Sequence, residues 1–137
     1  MTVNLSRSAA SLATIDPVFA AAVNKERDRR IDAGFTYGAN TFDSGPEDRE
    51  RIMAAAAIAR SAIDGGALAA DLRWYDAGVD FAWIDASNAS VTMDAPTVVA
   101  FGAALFDHVF THINAARALK DTGLGPGETV QDAGHWP

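Results

Sequence analysis

The stretch MDAPTVVAFGAALFDHVFTHINAARALKDTG, residues 93–123, decides the fold because it is the longest uninterrupted helical pattern in the chain. Its apolar and aromatic residues recur at steps of three and four, which places them on one face of an α-helix. We predict that this face is core, and it comprises Val98, Phe101, Leu105, His108, Val109, His112, Ala116 and Leu119. A second apolar row predicts that the helix packs on two sides, and it comprises Phe106, Phe110 and Ile113.

Both ends of this helix have recognisable signals. Asp94 is suited to be the N-cap, and Pro96 falls in the first turn, where its missing N–H costs nothing. Arg117 and Lys120 lie in the last turn, at the negative end of the helix dipole. Gly123 then ends the helix.

Composition limits the classes of protein. A chain of 137 residues is one domain by length and can bury roughly two-thirds of its unfolded surface. It has no cysteine, which rules out disulfides and thiolate metal sites, and its net charge of −7 argues against nucleic acid and anionic membranes as partners. We find no apolar run near the roughly 20 residues of a bilayer span, and the polar N-terminus does not resemble a signal peptide.

The first fifteen residues form a separate segment, the N-terminal arm. Leu5, Leu12 and Phe19 are spaced by seven residues, as in a coiled-coil seam, but Pro17 and Glu26 interrupt the repeat. Two interpretations follow. The arm is either a flexible lead-in or an interaction arm, and in the second case Leu5 and Leu12 bury against another chain. Asp16 and Pro17 then read as the N-cap and first residue of a helix.

The middle of the chain predicts short antiparallel strands beside helices. FTY and TFD flank Gly38-Ala39-Asn40, which indicates a β-hairpin at residues 35–43. Ser44 and Glu47 have the spacing of a capping box for a helix that ends at Gly65-Gly66. A period of two over residues 72–93 predicts a three-stranded meander whose aromatic face, with Phe81 and Trp83, covers the long helix.

These elements predict an α+β fold: a small antiparallel meander and a hairpin packed on two to three helices, the long one C-terminal. The expected organisation is an arm over residues 1–15, a single domain over residues 16–123 and an irregular tail over residues 124–137. Trp136 is unusual in such a tail, and it docks either on its own domain or on a partner.

No set of residues predicts catalysis. His108 and His112 have the spacing of two ligands to one metal ion, but no third or fourth ligand accompanies them. Asp43, Glu47 and Asp48 are explained by their place at a helix start. We therefore predict no catalytic, cofactor-binding or metal-binding residue, no cofactor and no enzymatic activity. The candidate interaction residues are Leu5, Leu12 and Trp136.

Several segments resemble a known family. They are ERDRRIDAGF (26–35), FTYGANTFDS (35–44), PEDRERI (46–52), LRWY (72–75), FAWID (81–85), MDAPTVVAFG (93–102), HINAARALKD (112–121) and a closing WP. Together they resemble the domain of unknown function 4376, found in tailed bacteriophages and prophages, in the versions of alphaproteobacterial phages. The resemblance extends from about Asp16 to the C-terminus and brings no catalytic residues with it.

The resemblance implies a structural component of a bacteriophage tail, at the tail fibre or the baseplate. Such a protein acts by protein–protein interaction, with host adhesion as an accompanying role. The alternative is a tail-fibre assembly chaperone that is not retained in the virion. The implied partners are other tail proteins, further copies of this chain and a host surface receptor, with no nucleic acid and no membrane insertion. The implied location is the virion tail, after synthesis in the host cytoplasm.

Overall fold

The computed structural model describes residues 16–137, and this part of the chain has the α+β fold that its sequence predicts. The helices are α1 (Pro17–Asp32), α2 (Pro46–Asp64) and α3 (Ala95–Thr122), followed by a 3-10 turn at Ala133–His135. Along the sequence, one antiparallel hairpin follows α1 and another follows α2. One pairs β1 (Phe35–Tyr37) with β2 (Asn40–Phe42), and the other pairs β3 (Ala82–Ile84) with β4 (Ser90–Thr92).

Contacts divide the chain into two compact units. The central unit is Asp32–His108, with both hairpins, α2 and the first half of α3. In the described part of the chain, the terminal unit combines residues 16–31, which include nearly all of α1, with Val109–Pro137. The division therefore falls within α3, and each unit has buried residues of its own.

Aromatic rings make up much of the core of the central unit. The Phe101 ring of α3 lies 4.7 Å from that of Phe42 and 5.4 Å from that of Phe35, measured between centroids. Trp83 of β3 lies 5.8 Å from Phe101, so the aromatic face of this strand covers the helix as predicted. The buried apolar residues of the unit are Phe35, Phe42, Ile52, Ala59, Met93, Ala95, Val98, Phe101 and Leu105.

The terminal unit has a smaller core, which joins α1 and α3 to the C-terminal segment. It consists of Val23, Ala116, Leu119, Val130 and Trp136. The predicted core face of α3 is confirmed across both units, since its members are buried or half-buried. The prediction that the second apolar row of α3 is packed is wrong. Its side chains are largely exposed, at 58% for Phe106, 48% for Phe110 and 45% for Ile113. The helix α3 therefore has apolar side chains outside its buried face.

The length and composition of α3 are sufficient for a bilayer span, which corrects the expectation that no segment is long and apolar enough. Among the described helices it is the one that passes this test. Core helices of water-soluble domains pass it too, and α3 has Val98, Phe101 and Leu105 buried in its own unit.

The predicted three-stranded meander is wrong in its first strand. Residues 72–75 form turns instead, and the remaining two strands pair as expected. The physical reason is local, because the Asp71 carboxylate accepts a hydrogen bond from the Arg73 N–H at 2.9 Å and closes a turn where the strand was expected. The Trp74 indole N–H meanwhile donates to the Met93 carbonyl at 3.0 Å. These contacts hold the segment in a compact loop.

Helix starts were predicted correctly in two of three cases. Asp16 accepts the Val18 N–H at 2.9 Å, and Asp94 accepts the Thr97 N–H at 2.8 Å, so both act as N-caps. The predicted capping box of α2 does not form, because Gly45 is the N-cap and makes no side-chain capping hydrogen bond. The Ser44 hydroxyl instead accepts the Gly34 N–H at 2.8 Å.

Candidate functional site

The most distinctive surface feature of the central unit is the loop of residues 65–81, between α2 and β3. It contains no helix or strand, apart from a single bridge between Asp76 and Val79. Irregular loops longer than roughly 12–15 residues are uncommon in compact domains and are usually functional or disordered. This loop is ordered by specific hydrogen bonds, so we treat it as the candidate functional site and call it the 65–81 loop.

Asp94 ties the 65–81 loop to the start of α3. One carboxylate oxygen caps the helix at Thr97, and the other accepts the Ala70 N–H at 2.7 Å. These hydrogen bonds, that of Thr97 first, lower the pKa of Asp94 from its ordinary value. Ala70 itself has a φ of 70°, in the left-handed region that a side chain disfavours. The hydrogen bond to Asp94 therefore holds a backbone conformation that alanine adopts at a cost.

Aromatic stacking anchors the other half of the loop. The Trp74 ring lies 4.7 Å from Phe81, and Phe81 lies 6.3 Å from Trp83, which reaches the core at Phe101. The Phe81 N–H also donates to the Leu72 carbonyl at 2.6 Å, which closes the loop at its base. Trp74, Phe81 and Trp83 are half-buried, whereas the neighbouring Tyr75 is exposed and is not a core residue.

The loop exposes three large apolar side chains. Leu68 is 72% exposed, Tyr75 65% and Val79 60%. Acidic residues alternate with them at Asp71, Asp76 and Asp80, and Arg73 pairs with Asp80 at 3.0 Å. Fixed apolar side chains surrounded by charge are typical of a protein-binding surface, because little conformational entropy is lost when a partner covers them.

A shallow groove of about 510 Å³ lies beside β3. Its lining includes Asp43, Asp48, Arg51, Trp83 and Asp85. The buried Asp85 carboxylate accepts hydrogen bonds from both the backbone and the hydroxyl of Ser87, from the Ala89 N–H and from the Asn40 amide. These bonds, that of Ala89 first, lower the pKa of Asp85 to about 2. The carboxylate thus joins the two hairpins and stays ionised.

The two histidines of α3 pack against aromatic rings. His108 stacks on Phe35 at 5.9 Å in the central unit, and His112 stacks on Trp136 at 6.4 Å in the terminal unit. Within residues 16–137 there is no group of three His, Asp or Glu side chains that could hold a metal ion.

Trp136, a predicted interaction residue, packs in the core of the terminal unit of its own chain. It is 7% exposed, and its indole N–H donates to the Val130 carbonyl at 2.9 Å. The Arg30 guanidinium lies 5.6 Å from the centre of the Trp136 ring and also donates to the buried Glu26 carboxylate at 2.6 Å. A contact between Trp136 and a partner stays a prediction. Leu5 and Leu12, the other two predicted residues, lie outside the described residues.

A group of positive side chains in the terminal unit was missed by sequence reasoning. The Asn24 amide oxygen accepts hydrogen bonds from Lys120 at 2.8 Å and from Arg27 at 3.2 Å. Burial lowers the pKa of Lys120, and the charges of Arg27 and Arg117 lower it further. We call Arg27, Arg117 and Lys120 the basic patch. The sequence shows Arg117 and Lys120 three residues apart, but it does not show that Arg27 of α1 joins them.

The 65–81 loop was missed in part, because residues 72–75 within it were interpreted as a strand. Two signals favoured a loop: Gly65-Gly66 after the helix, and the turn sequence DAGVD at residues 76–80. Neither signal indicates which side chains are exposed.

Comparison with known proteins gave one match. The family model described as Domain of unknown function (DUF4376) matches residues 18–133, which is most of the chain. No curated protein and no solved structure matches the sequence.

Proposed function

We propose, since the chain belongs to the DUF4376 family, that it is a structural component of a bacteriophage tail and acts by protein–protein interaction. The tail fibre and the baseplate are the proposed places. The phage setting rests on the resemblance described above, in the segments from Glu26 to the closing Trp136 and Pro137. In this proposal the protein is made in the host cytoplasm and retained in the virion.

The observation that supports a binding role is that the 65–81 loop is ordered and still exposes large apolar side chains. The Ala70 N–H donates to Asp94, and the Trp74 indole N–H donates to the Met93 carbonyl. These hydrogen bonds hold the loop, while Leu68, Tyr75 and Val79 remain exposed. A loop ordered before binding loses little entropy on contact, and tyrosine is among the residues that contribute most to binding energy at interfaces.

The N-terminal arm is proposed as a further contact. Leu5 and Leu12 would each gain roughly 1.5–3 kcal/mol on full burial, which offsets part of the entropy lost when the arm becomes ordered. We propose that these two leucines bind a neighbouring chain of the tail. A host surface receptor is a further proposed partner.

Mass spectrometry of purified particles tests this function. We expect peptides of this chain in extensively washed virions, at a constant ratio to a major tail protein. Detection in infected cells but not in finished virions would instead favour the assembly chaperone. Deletion of the gene should yield particles that are incomplete or that do not adsorb. Normal, infectious particles from the deletion strain would contradict both roles.

A further inference from the structure

Charge is divided unevenly along the chain. The central unit has twelve Asp and Glu against four Lys and Arg, a net charge of −8. The remainder of the sequence has six acidic against seven basic residues, a net charge of +1. The excess of acidic residues therefore lies in the central unit, while acidic and basic residues nearly balance in the remainder of the sequence.

Within residues 16–137, carboxylates neutralise the positive charge of the basic patch only in part. The Lys120 ammonium donates to the neutral Asn24 amide, and none of the carboxylates that the structure describes lies within 4.0 Å of it. Arg27 and Arg117 pair with Asp28 and Asp121 at the edges of the patch. A carboxylate brought in from outside would therefore bind most favourably at Lys120.

The 65–81 loop has the complementary charge. The Asp71 carboxylate accepts the Arg73 N–H at 2.9 Å, and the Asp76 carboxylate accepts the Gly78 N–H at 2.8 Å. Both residues are exposed, and neither forms an ion pair with the Lys and Arg side chains of the described residues. Their charges flank Tyr75, so an apolar anchor and its acidic surroundings are held in one fixed segment.

We propose that the 65–81 loop of one copy docks on the basic patch of a second copy of this chain. The second copy is the occupant that the charge division favours, because the acidic unit and the basic patch lie in different units of the same sequence. The inference rests on the proposed function, to which it adds the partner and the two surfaces.

Such a contact is heterologous, since each copy contributes a different surface. Repetition of a heterologous contact generates a closed ring or an open filament. Screening by salt should weaken the contact, because the pairs are close to solvent.

Pairs of introduced cysteines test the contact directly, because the natural chain contains none. One variant has Ala77→Cys, in the loop beside Asp76, and the other has Asp28→Cys, beside Arg27. Both positions are exposed, so folding should be preserved, and circular dichroism verifies it. We expect an equimolar mixture to give a disulfide-linked dimer with one chain of each kind, and each variant alone to give little linked product.

Four controls make the result specific. The pair of Ala77→Cys with Arg60→Cys, an exposed position on α2, should link poorly. Adding Lys120→Glu to the Asp28→Cys chain, or Tyr75→Ala to the Ala77→Cys chain, should lower the linking rate about tenfold or more. Raising the salt concentration should lower it too.

The inference is overturned if the mixture links no faster than the Arg60 control pair, or if Lys120→Glu has no effect. Incorporation of the chain into virions together with such a result would leave the proposed function in place. In that case the loop contacts a different tail protein.

Discussion

Gly102 of α3 lies directly against Ala56 of α2. A Cβ atom added at Gly102 would lie 2.6 Å from the Cβ of Ala56, a separation that real Cβ atoms do not tolerate. Glycine in a helix interior costs about 1 kcal/mol relative to alanine. Glycine is nevertheless suited to residue 102, because any side chain there would collide with Ala56 of α2.

The close approach predicts a reciprocal exchange. Gly102→Ala should lower the free energy of unfolding by about 1–2 kcal/mol, because overpacking exceeds the gain in helix propensity. The double variant Ala56→Gly with Gly102→Ala moves the methyl group to the other helix and should recover most of the loss. Denaturant unfolding measures both. A single Gly102→Ala variant more stable than wild type would show that the helices separate freely at this point.

Phe101 and Leu105 are predicted to be the most costly core positions. Phe101→Ala should destabilise the fold by about 3–5 kcal/mol and Leu105→Ala by about 2–5 kcal/mol, since both side chains are fully buried. Ile58→Ala, at a half-exposed position of α2, is the matched control and should cost far less. An unchanged unfolding midpoint in either core variant would mean that the buried face of α3 is assigned wrongly.

Asp94 is predicted to stabilise the helix and the loop separately. Asp94→Ala removes the cap and the acceptor of the exposed Ala70 N–H, which water can then satisfy, so the expected loss is about 1–2 kcal/mol. Asp94→Ser keeps a capping oxygen, but its side chain is too short to reach Ala70. This variant should therefore lose only the stabilisation from the hydrogen bond to the Ala70 N–H. Hydrogen exchange of the Ala70 amide should accelerate in both variants. Protection of that amide in Asp94→Ser would disprove the link between helix cap and loop.

Asp85 is predicted to make the free energy of unfolding depend on pH in the acid range. Its pKa of about 2 in the folded protein lies below the ordinary value of 3.8, so the folded state binds fewer protons than the unfolded state. The stabilisation is complete above pH 4 or so and is lost as the pH falls towards 2. Asn40→Ala removes one donor and should raise the pKa of Asp85, which carboxyl NMR titration measures. A titration midpoint unchanged by Asn40→Ala would exclude this hydrogen bond as a cause.

Deletion of residues 1–15 is predicted to separate folding from association. The first buried side chain of the described chain is Val23, so the thermal transition should stay nearly unchanged. Association should weaken, because Leu5 and Leu12 are lost, and sedimentation velocity should show a smaller species. Full-length chains with Leu5→Ala and Leu12→Ala should behave like the truncated chain. Equal assembly by all three proteins would identify the arm as a lead-in.

Much of the helical architecture could be predicted from the sequence, because helices follow local rules. The apolar period of α3 gave its buried face, and Asp16 and Asp94 marked helix starts through bonds to residues two or three positions away. Ser44 shows the limit of such rules. Its spacing to Glu47 suited a capping box, but its hydroxyl binds Gly34, ten residues earlier in the chain.

The sequence by itself determined the α+β class, the core face of α3 and the hairpin from Phe35 to Phe42, since near neighbours and periodicity specify them. Only the tertiary structure decided that residues 65–81 form a fixed loop, because Asp94 and Met93 hold it from more than fifteen residues away. The basic patch was likewise decided by tertiary structure, as Asn24 and Lys120 meet across 96 positions of sequence. Contacts between distant residues depend on how whole elements pack, and periodicity within one element does not contain that information.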